Sequence, residues 1–239
     1  MSRSRIRLIT FDLDDTLWPC LPAIQAAEQV LHGWLRDKAP RLAEAHDIES
    51  MRAHRRTVME SMPEIAHDLG LVRHRSLIQL LESFDYPADL ADAAVSLFLE
   101  HRSRVEPYPD ALPVLRALAP DYRLVSLTNG NADVEVTSLR GIFAHNLTAA
   151  GIGAAKPDPA MFRRALELTG CDTDECLHLG DDPWTDVEAA RAFGIPAIWV
   201  NRTGRDWPET LEPPSLTVTH LYELTAWLKD GRTGDDDGI

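Results

Sequence analysis

Two aspartates, Asp12 and Asp14, stand two positions apart directly after a short apolar run. Carboxylates this close repel each other, so their joint ionisation requires a compensating cation or a shared proton. Mg²⁺ prefers oxygen ligands and would supply that compensation. One carboxylate could then attack phosphorus while the other handles the proton on the leaving oxygen. The pattern Asp12-x-Asp14-x-Thr16 therefore indicates phosphoryl chemistry, and turn capping by acidic residues is the alternative.

Two further segments carry groups that suit a phosphate. Thr128 and Asn129 follow an apolar run, where a hydroxyl and an exposed backbone N–H could bind phosphate oxygens. Lys156 precedes a predicted helix and could neutralise both a phosphoryl group and a carboxylate. A cation is mildly unfavourable there, because the helix N-terminus is itself positive, unless an anion lies beside it. Taken alone, the segment with Thr128 and Asn129 also fits a plain turn, and Lys156 also fits a surface lysine.

A third acidic segment begins at Gly180, which permits a tight turn after another apolar run. Asp181 could reach a metal ion held by the first pair of aspartates. Asp186 lies about one helical turn further on and could orient the site from behind. Asp182, by contrast, fits a solvated or helix-capping acid.

Apolar runs alternating with helical patterns must position these groups. Strands are predicted at 6–12, 122–128, 176–180 and 197–200, with weaker candidates at 145–149 and 216–219. Helices are predicted at 110–119, 159–169 and 185–193. This alternation predicts an α/β, Rossmann-like core with a doubly wound parallel sheet, in which ligands bind at the carboxyl ends of the strands.

The stretch 19–105 differs, because it lacks β-branched runs and is predicted to form several helices. They are expected at 22–38, 41–61, 71–84 and 87–101. The simplest topology is a helical cap inserted after the first strand, with a core made of 1–18 and 106–229. Residues 230–239, which contain three consecutive aspartates, are predicted to form a disordered tail.

The amino-acid composition disfavours several classes of function. The net charge of −14 opposes nucleic-acid binding, because few basic residues are clustered. The apolar runs are too short to cross a membrane, and no signal peptide is predicted at the N-terminus, so we expect a cytoplasmic protein. Three cysteines indicate neither a disulfide framework nor a zinc site. A monomer and a homodimer both remain open.

With these motifs in this order, the chain resembles the phosphatase branch of the haloacid dehalogenase superfamily. The resemblance implies that Asp12 is the nucleophile and Asp14 the general acid and then base. It implies that Thr128 and Lys156 bind the phosphoryl group. It also implies a Mg²⁺ ion held by Asp12, Asp181 and the backbone carbonyl of Asp14. The inserted helices resemble the C1 cap of that superfamily, which closes over the site and selects the substrate.

A finer resemblance is to the bacterial flavin-pathway phosphatases, which act on flavin mononucleotide and 5-amino-6-(5-phospho-D-ribitylamino)uracil. It rests on residues 127–132 and on the cap stretch 63–68 with Arg73, Arg75 and Ser76. It implies a small phosphorylated metabolite as substrate. Candidate substrate contacts are His67, Arg73, Arg75 and Trp18, each of which could instead be a solvated or packing residue. Asp15 departs from the glycine that many relatives carry.

Three other functions are compatible with parts of this pattern. A dehalogenase on the same fold needs neither a metal nor an acid for a leaving alkoxide, so Asp14 and Asp181 argue against it. A phospho-accepting receiver module combines similar residues around Mg²⁺ but lacks a large helical insertion. A non-catalytic binding protein on the same fold is disfavoured by the intact motifs.

Overall fold

The computed structural model describes residues 5–233, which form two compact units. Of these residues, the first unit contains 5–19, 106–129 and 138–233, and the second contains 20–105 and 130–137. The second unit includes residues 130–137, which the sequence had assigned to the core. In that segment the backbone N–H of Asp133 donates to Oγ of Ser103, 2.9 Å away.

The first unit is built on a six-stranded, wholly parallel sheet, as the sequence predicted. The strands, in chain order, are β1 (Leu8–Phe11), β2 (Arg123–Thr128), β3 (His145–Thr148), β4 (Cys176–Gly180), β5 (Ala197–Val200) and β6 (Thr217–Val218). Their spatial order is β3-β2-β1-β4-β5-β6. The chain thus moves outward from β1 to β3 and then returns to place β4 beside β1. This reversal creates the crevice at which open α/β sheets bind ligands.

Strand β1 lies at the centre of the sheet because its four residues are apolar or small and all are buried. Its last residue, Phe11, is aligned with Ser126 of β2 and Leu179 of β4. The three strands therefore end at nearly the same level. The residues that follow them, which carry the predicted site, emerge at one edge of the sheet.

The helices of the first unit are α6 (Ala111–Leu118), α7 (Ala149–Ile152), α8 (Ala160–Thr169), α9 (Ala189–Ala192) and α10 (Tyr222–Thr233). Helix α8 packs its apolar face through Met161, Phe162 and Ala165 into a core that includes Leu8 and Val125. It ends at Gly170, whose φ of 65° is a conformation that glycine adopts without steric cost. Helix α10 includes residues 230–233 of the predicted disordered tail, and residues 234–239 lie outside the described part.

The second unit is helical, with α1 (Cys20–Lys38), α2 (Pro40–Ala45), α3 (Ile48–Ser61), α4 (Leu69–Ser83) and α5 (Leu90–Arg102). The prediction of a single helix at 41–61 is wrong, because the helix is interrupted between α2 and α3. Asp47 causes this break: its side chain accepts a hydrogen bond from the backbone N–H of Ser50 and caps α3. Within residues 5–233, no helix has both the length and the apolar character needed to cross a bilayer.

Candidate active site

The site is built around Asp12, which follows the central strand β1. Its backbone N–H donates to the carbonyl of Leu179 in β4, at 2.8 Å, so the main chain stays paired where the strand ends. The residue is only 7% exposed. Burial of an ionised carboxylate is costly unless a counter-charge lies close by, and the neighbouring residues provide one.

Lys156 supplies that counter-charge from the loop before α8. Its Nζ donates to Oδ1 of Asp12 at 2.9 Å, to Oδ1 of Asp186 at 2.5 Å and to the carbonyl of Leu127 at 2.8 Å. Burial alone would lower the pKa of Lys156, but the two carboxylates outweigh it and raise that pKa. The lysine is therefore a fixed cation, and its anionic neighbours remove the cost of placing it before a helix.

Asn129 holds the main chain of this lysine. Its Nδ2 donates to the Lys156 carbonyl, and its Oδ1 accepts from the Lys156 backbone N–H, both at 2.8 Å. The sequence predicted Asn129 as a phosphate-binding residue. Both ends of its carboxamide are engaged by the Lys156 backbone, which helps to hold the Lys156 loop in place. A contact between Asn129 and a phosphate stays a prediction.

Three carboxylates meet at this edge of the sheet. Asp12, Asp181 and Asp186 each offer an oxygen, and these oxygens lie within 4.8 Å of one another. Burial raises the pKa of Asp12 well above its usual value; Lys156 opposes this rise, while Asp186 and Asp181 add to it. Burial also raises the pKa of Asp181 to about 7, with Asp186 and Asp15 adding to the effect.

This crowding is the arrangement that a divalent cation would relieve. Burial is the main cause of the elevated pKa values of Asp12 and Asp181, and repulsion from neighbouring carboxylates adds to them, although Lys156 and Arg205 oppose the rise. Hard oxygen donors of this kind match the preference of Mg²⁺. The residues present therefore fit a divalent metal ion.

Asp186 is placed differently from the other two acids. Its Oδ1 accepts from Lys156, and its Oδ2 accepts from the backbone N–H of Asp182 at 3.0 Å. Burial would raise the pKa of Asp186, but Lys156 and His178 outweigh it and hold that pKa below its usual value. The sequence placed Asp186 behind the metal ligands, and these contacts fit an ionised residue that orients Lys156.

Gly180 allows Asp186 to occupy this position. A Cβ atom built on Gly180 would lie 2.2 Å from Cγ of Asp186, far inside van der Waals contact. The following turn, Pro183–Glu188, is a π-helix in which the Val187 N–H bonds back to the Asp182 carbonyl. The sequence predicted a regular helix over 185–193, and this wider turn replaces its first half.

Asp182 caps this turn, which was one of its predicted roles. Its Oδ1 accepts from the backbone N–H groups of Trp184 and Thr185, at 2.9 and 2.7 Å. A capping carboxylate satisfies N–H groups that have no partner within the helix. Asp182 therefore fixes the start of the segment that carries Asp186.

Asp181 is held by two residues that the sequence reasoning missed. Nη2 of Arg205 donates to Oδ2 of Asp181 at 2.8 Å, and Nε1 of Trp199 donates to the Asp181 carbonyl at 2.7 Å. Arg205 lies beyond the end of β5 and is far from any motif in sequence. An arginine shortly after a parallel strand was the only available signal, and it is a weak one.

The loop after Asp12 is a tight turn that orients Asp14. Nε1 of Trp18 donates to Oδ1 of Asp14 at 2.8 Å, and the Asp15 N–H donates to the Trp18 carbonyl at 2.7 Å. Asp15 has a φ of 57°, which glycine adopts freely and aspartate tolerates better than most residues. This explains why glycine also suits that position. Trp18 is fully buried, which fits the packing role that the sequence left open.

Arg202 supports the same loop from the end of β5. Its Nη2 and Nε donate to the carbonyl of Thr16, at 3.0 and 3.2 Å, and its Nη1 donates to Oδ2 of Asp110 at 2.7 Å. The guanidinium also lies over the ring of Tyr108, 4.4 Å from its centroid. Thr16, the third residue of the motif that begins at Asp12, is fully buried. No local sequence pattern indicated a role for Arg202.

His178 lies beneath the site within β4 and is completely buried. Its Nδ1 is 2.9 Å from Oγ1 of Thr10, and its Nε2 is 3.3 Å from Oδ1 of Asp186. Burial lowers the pKa of His178, although the adjacent Asp186 opposes that change. A polar chain thus runs from Thr10 through His178 and Asp186 to Lys156 and Asp12.

The remaining predicted residues fall in two places. Thr128 ends β2 at the same sheet edge as Asp12 and is buried. In the helical unit, Arg73 is buried, His67 is half-buried and Arg75 is exposed. Their contact with a substrate stays a prediction.

Comparison with known proteins agrees with this geometry. The family described as haloacid dehalogenase-like hydrolase matches residues 6–194. The chain is 34% identical over 229 residues to the 5-amino-6-(5-phospho-D-ribitylamino)uracil phosphatase YigB of Escherichia coli, covering 93% of this chain and 96% of that protein. It is 31% identical over 245 residues to a phosphoserine phosphatase of Thermus thermophilus, covering 92% and 98%.

A solved structure with 37% identity superposes with a TM-score of 0.87, covering 94% of this chain and 99% of the other. It is described as a 2-haloacid dehalogenase from Pseudomonas syringae pv. Tomato. A phosphatase of the same superfamily from Thermococcus onnurineus, at 22% identity and a TM-score of 0.69, shares the fold. The matched family covers most of the chain, including every motif at the sheet edge, and the chain therefore belongs to the haloacid dehalogenase-like hydrolases.

Proposed function

We propose that this hydrolase is a magnesium-dependent phosphomonoesterase that acts on a small phosphorylated metabolite through an aspartyl-phosphate at Asp12. The observation that carries the proposal is the cluster of Asp12, Asp181 and Asp186 around the fixed cation of Lys156. A nucleophilic carboxylate, a fixed positive charge and a cation site are what phosphoryl transfer requires, because its catalysis is mostly positioning and charge neutralisation.

The residues divide the reaction between them. Mg²⁺, held by Asp12, Asp181 and the Asp14 carbonyl, would neutralise charge on the phosphoryl oxygens when bound. A carboxylate oxygen of Asp12 attacks phosphorus, the bond to the ester oxygen breaks, and Asp14 gives its proton to the departing alkoxide. Asp14 then takes a proton from water, whose oxygen attacks phosphorus and releases Asp12 and inorganic phosphate.

Two contacts favour these assignments. Lys156 remains hydrogen-bonded to Asp12 and can also neutralise a phosphoryl oxygen, whereas Thr128 places a hydroxyl at the neighbouring strand end. Trp18 holds one carboxylate oxygen of Asp14, which orients the group that handles the proton. A fixed orientation matters because proton transfer requires hydrogen-bond distance to the leaving oxygen.

For the substrate we propose a flavin-pathway phosphate, either 5-amino-6-(5-phospho-D-ribitylamino)uracil or flavin mononucleotide. The similarity to the Escherichia coli phosphatase YigB along nearly the whole of both chains supports this choice. The similarity to a phosphoserine phosphatase supports the broader class of small phosphomonoesters. The assignment to a cytoplasmic location belongs to the same proposal.

Phosphate release with Mg²⁺ present tests both levels of the proposal. The wild-type chain should hydrolyse flavin-pathway phosphates faster than phosphoserine, phosphoglycolate or nucleoside monophosphates. Asp12→Asn should abolish release while circular dichroism shows an intact fold, and Asp37→Asn, the same change at an exposed site of α1, should have no effect. Full activity of Asp12→Asn, with deamidation excluded by mass spectrometry, would overturn the mechanism.

A second candidate function, dehalogenation of 2-haloacids, is favoured by the Pseudomonas syringae structure at 37% identity. Halide departure leaves no alkoxide to protonate and requires no cation, so Asp12 could act as the nucleophile but Asp14 and Asp181 would have no role in it. Halide release from 2-chloropropionate in the presence of a chelator, without phosphate release from any ester, would establish that function instead.

A further inference from the structure

An arginine-rich cluster inside the helical unit is not explained by packing alone. Four helices contribute to it: Glu28 from α1, Arg52 and Arg55 from α3, Arg73 from α4 and Arg102 from α5. The charged groups that act on Arg73 are three arginines and one glutamate. Arg73 and Arg102 are buried, and a buried positive charge is costly unless an anion compensates it.

The single buried acid of the cluster, Glu28, is already engaged by two of the arginines. Its Oε2 accepts from Nε and Nη2 of Arg52, at 2.8 and 2.5 Å, and its Oε1 accepts from Arg55 at 3.4 Å. Arg52 has a further partner in the exposed Glu49, at 3.2 Å. Two arginines of the cluster are thereby compensated, and Arg73 is not among them.

Arg73 carries a buried hydrogen-bond donor that lacks an acceptor in the described part of the chain. It is 8% exposed, and its Nε has no hydrogen-bond partner within residues 5–233. The guanidinium lies over the ring of Phe98, 3.4 Å from the centroid. Stacking uses the face of the group, whereas the N–H donors lie in its plane and still require acceptors.

Electrostatics agree with that geometry. Burial lowers the pKa of Arg73 to about 9, Arg55 lowers it further, and Glu28 opposes the change. Arg102, at the end of α5, is 2% exposed and its Nη2 lies 3.6 Å from Sγ of Cys20. An anion placed beside Arg73 would therefore meet a desolvated guanidinium, where charge-assisted hydrogen bonds are strongest.

We propose that Arg73 forms an anion-binding site of the helical unit that takes a phosphate or carboxylate group. The planar fork of a guanidinium matches two oxygens of such a group. The shared chemistry is an oxyanion, which could be a free ion or a second anionic group of a larger molecule. The site does not depend on the phosphatase activity proposed above.

The test follows the Nε–Hε resonance of Arg73 by NMR in the 239-residue chain, and the resonance is assigned by its absence in Arg73→Met. Titration with inorganic phosphate at constant ionic strength should shift this resonance saturably at millimolar concentrations. The shift should persist in Asp12→Asn, which separates this site from the acidic cluster. Arg36→Met, an exposed change on α1, should leave the response unchanged.

Kinetics separate the two sources of the anion. If it belongs to the substrate, Arg73→Met should raise KM at least tenfold for fructose 1,6-bisphosphate and less than twofold for p-nitrophenyl phosphate. If it is a separate ion, the resonance shifts with phosphate while both KM values stay within twofold. If Arg73→Met does not fold, Arg73→Lys replaces it in the KM measurements. The phosphate titration is then carried out on the wild-type protein only. No saturable shift, with KM unchanged or raised equally for both substrates, would overturn the proposal.

Discussion

The Nζ atom of Lys156 lies 2.9 Å from Oδ1 of Asp12, although 144 positions separate the two residues in sequence. The contact forms because β1 is central and the loop before α8 reaches the same sheet edge. Asn129 holds the main chain of Lys156, and Asp186 holds its ammonium group. The lysine thus has few degrees of freedom left, as a preorganised electrostatic group requires.

Replacing this lysine tests its role. Lys156→Met should lower phosphate release by about 10²–10³-fold, the usual cost of losing one preorganised electrostatic contact. It should also lower the free energy of unfolding by about 3 kcal/mol at neutral pH, because Asp12 and Asp186 lose their buried counter-charge. Steady-state kinetics and urea unfolding measure the two effects. Lys38→Met, at an exposed position of α1, is the matched control, and wild-type turnover in Lys156→Met would refute the assignment.

Gly180 offers a steric test of Asp186. The added methyl group of Gly180→Ala would lie 2.2 Å from Cγ of Asp186 and must displace it. Overpacking of this kind costs about 1–3 kcal/mol of stability. Because Asp186 orients Lys156, we also expect phosphate release to fall by about 10²-fold. Thermal unfolding and kinetics would record both losses.

A matched glycine separates these losses from the general effect of adding a methyl group. Gly33 lies within α1, and nothing lies within 4 Å of a Cβ atom built there. Gly33→Ala should leave activity unchanged and stabilise the protein by about 0.5–1 kcal/mol, since alanine is the better helix former. If Gly180→Ala and Gly33→Ala changed phosphate release and stability equally, the contact with Asp186 would have no consequence.

His178 should act on turnover through Asp186 and not through the substrate. His178→Phe keeps the ring shape but leaves Thr10 and Asp186 without this partner, at a cost of about 1–3 kcal/mol. We expect kcat to fall by about tenfold with KM within twofold, because the variant weakens the support of Lys156. His178→Gln, which restores a polar group toward Asp186, should recover part of kcat. A purely structural role would lower stability in both variants and leave kcat unchanged.

Much of this architecture was predictable, because parallel strands and strand-end motifs leave local signals in sequence. The continuous apolar runs gave β1, β2, β4 and β5, and the order of the motifs placed them at one sheet edge. The break at Asp47 was missed because helix periodicity continues across it, whereas capping depends on a single side chain.

The supporting contacts were not predictable to the same degree. Arg205, Arg202 and His178 act through tertiary contacts to residues distant in sequence, so no local spacing marks them. Asn129 was predicted at the correct strand end, but the direction of its carboxamide depends on where the Lys156 loop returns. A sequence motif therefore predicts where a side chain lies in the fold more reliably than it predicts which residue that side chain contacts.

The buried pair of Asp110 and Arg202 predicts how stability depends on pH. Burial would raise the pKa of Asp110, but hydrogen bonds from Arg202 and from the Leu221 N–H outweigh it and lower that pKa below its usual 3.8. A lowered folded-state pKa contributes stability that is present above the unfolded value and lost as pH falls through the folded value. Asp110→Asn should therefore lower the free energy of unfolding by about 3 kcal/mol at pH 7.

The difference between wild type and Asp110→Asn should stay constant from about pH 6 to pH 8 and shrink below about pH 4, where the wild-type carboxyl takes up a proton. Urea unfolding at each pH measures it, with Asp37→Asn as the exposed control. Because Arg202 also binds the Thr16 carbonyl, the variant should lose activity at neutral pH as well. A stability difference independent of pH down to pH 3 would show that the ionised pair does not support this loop.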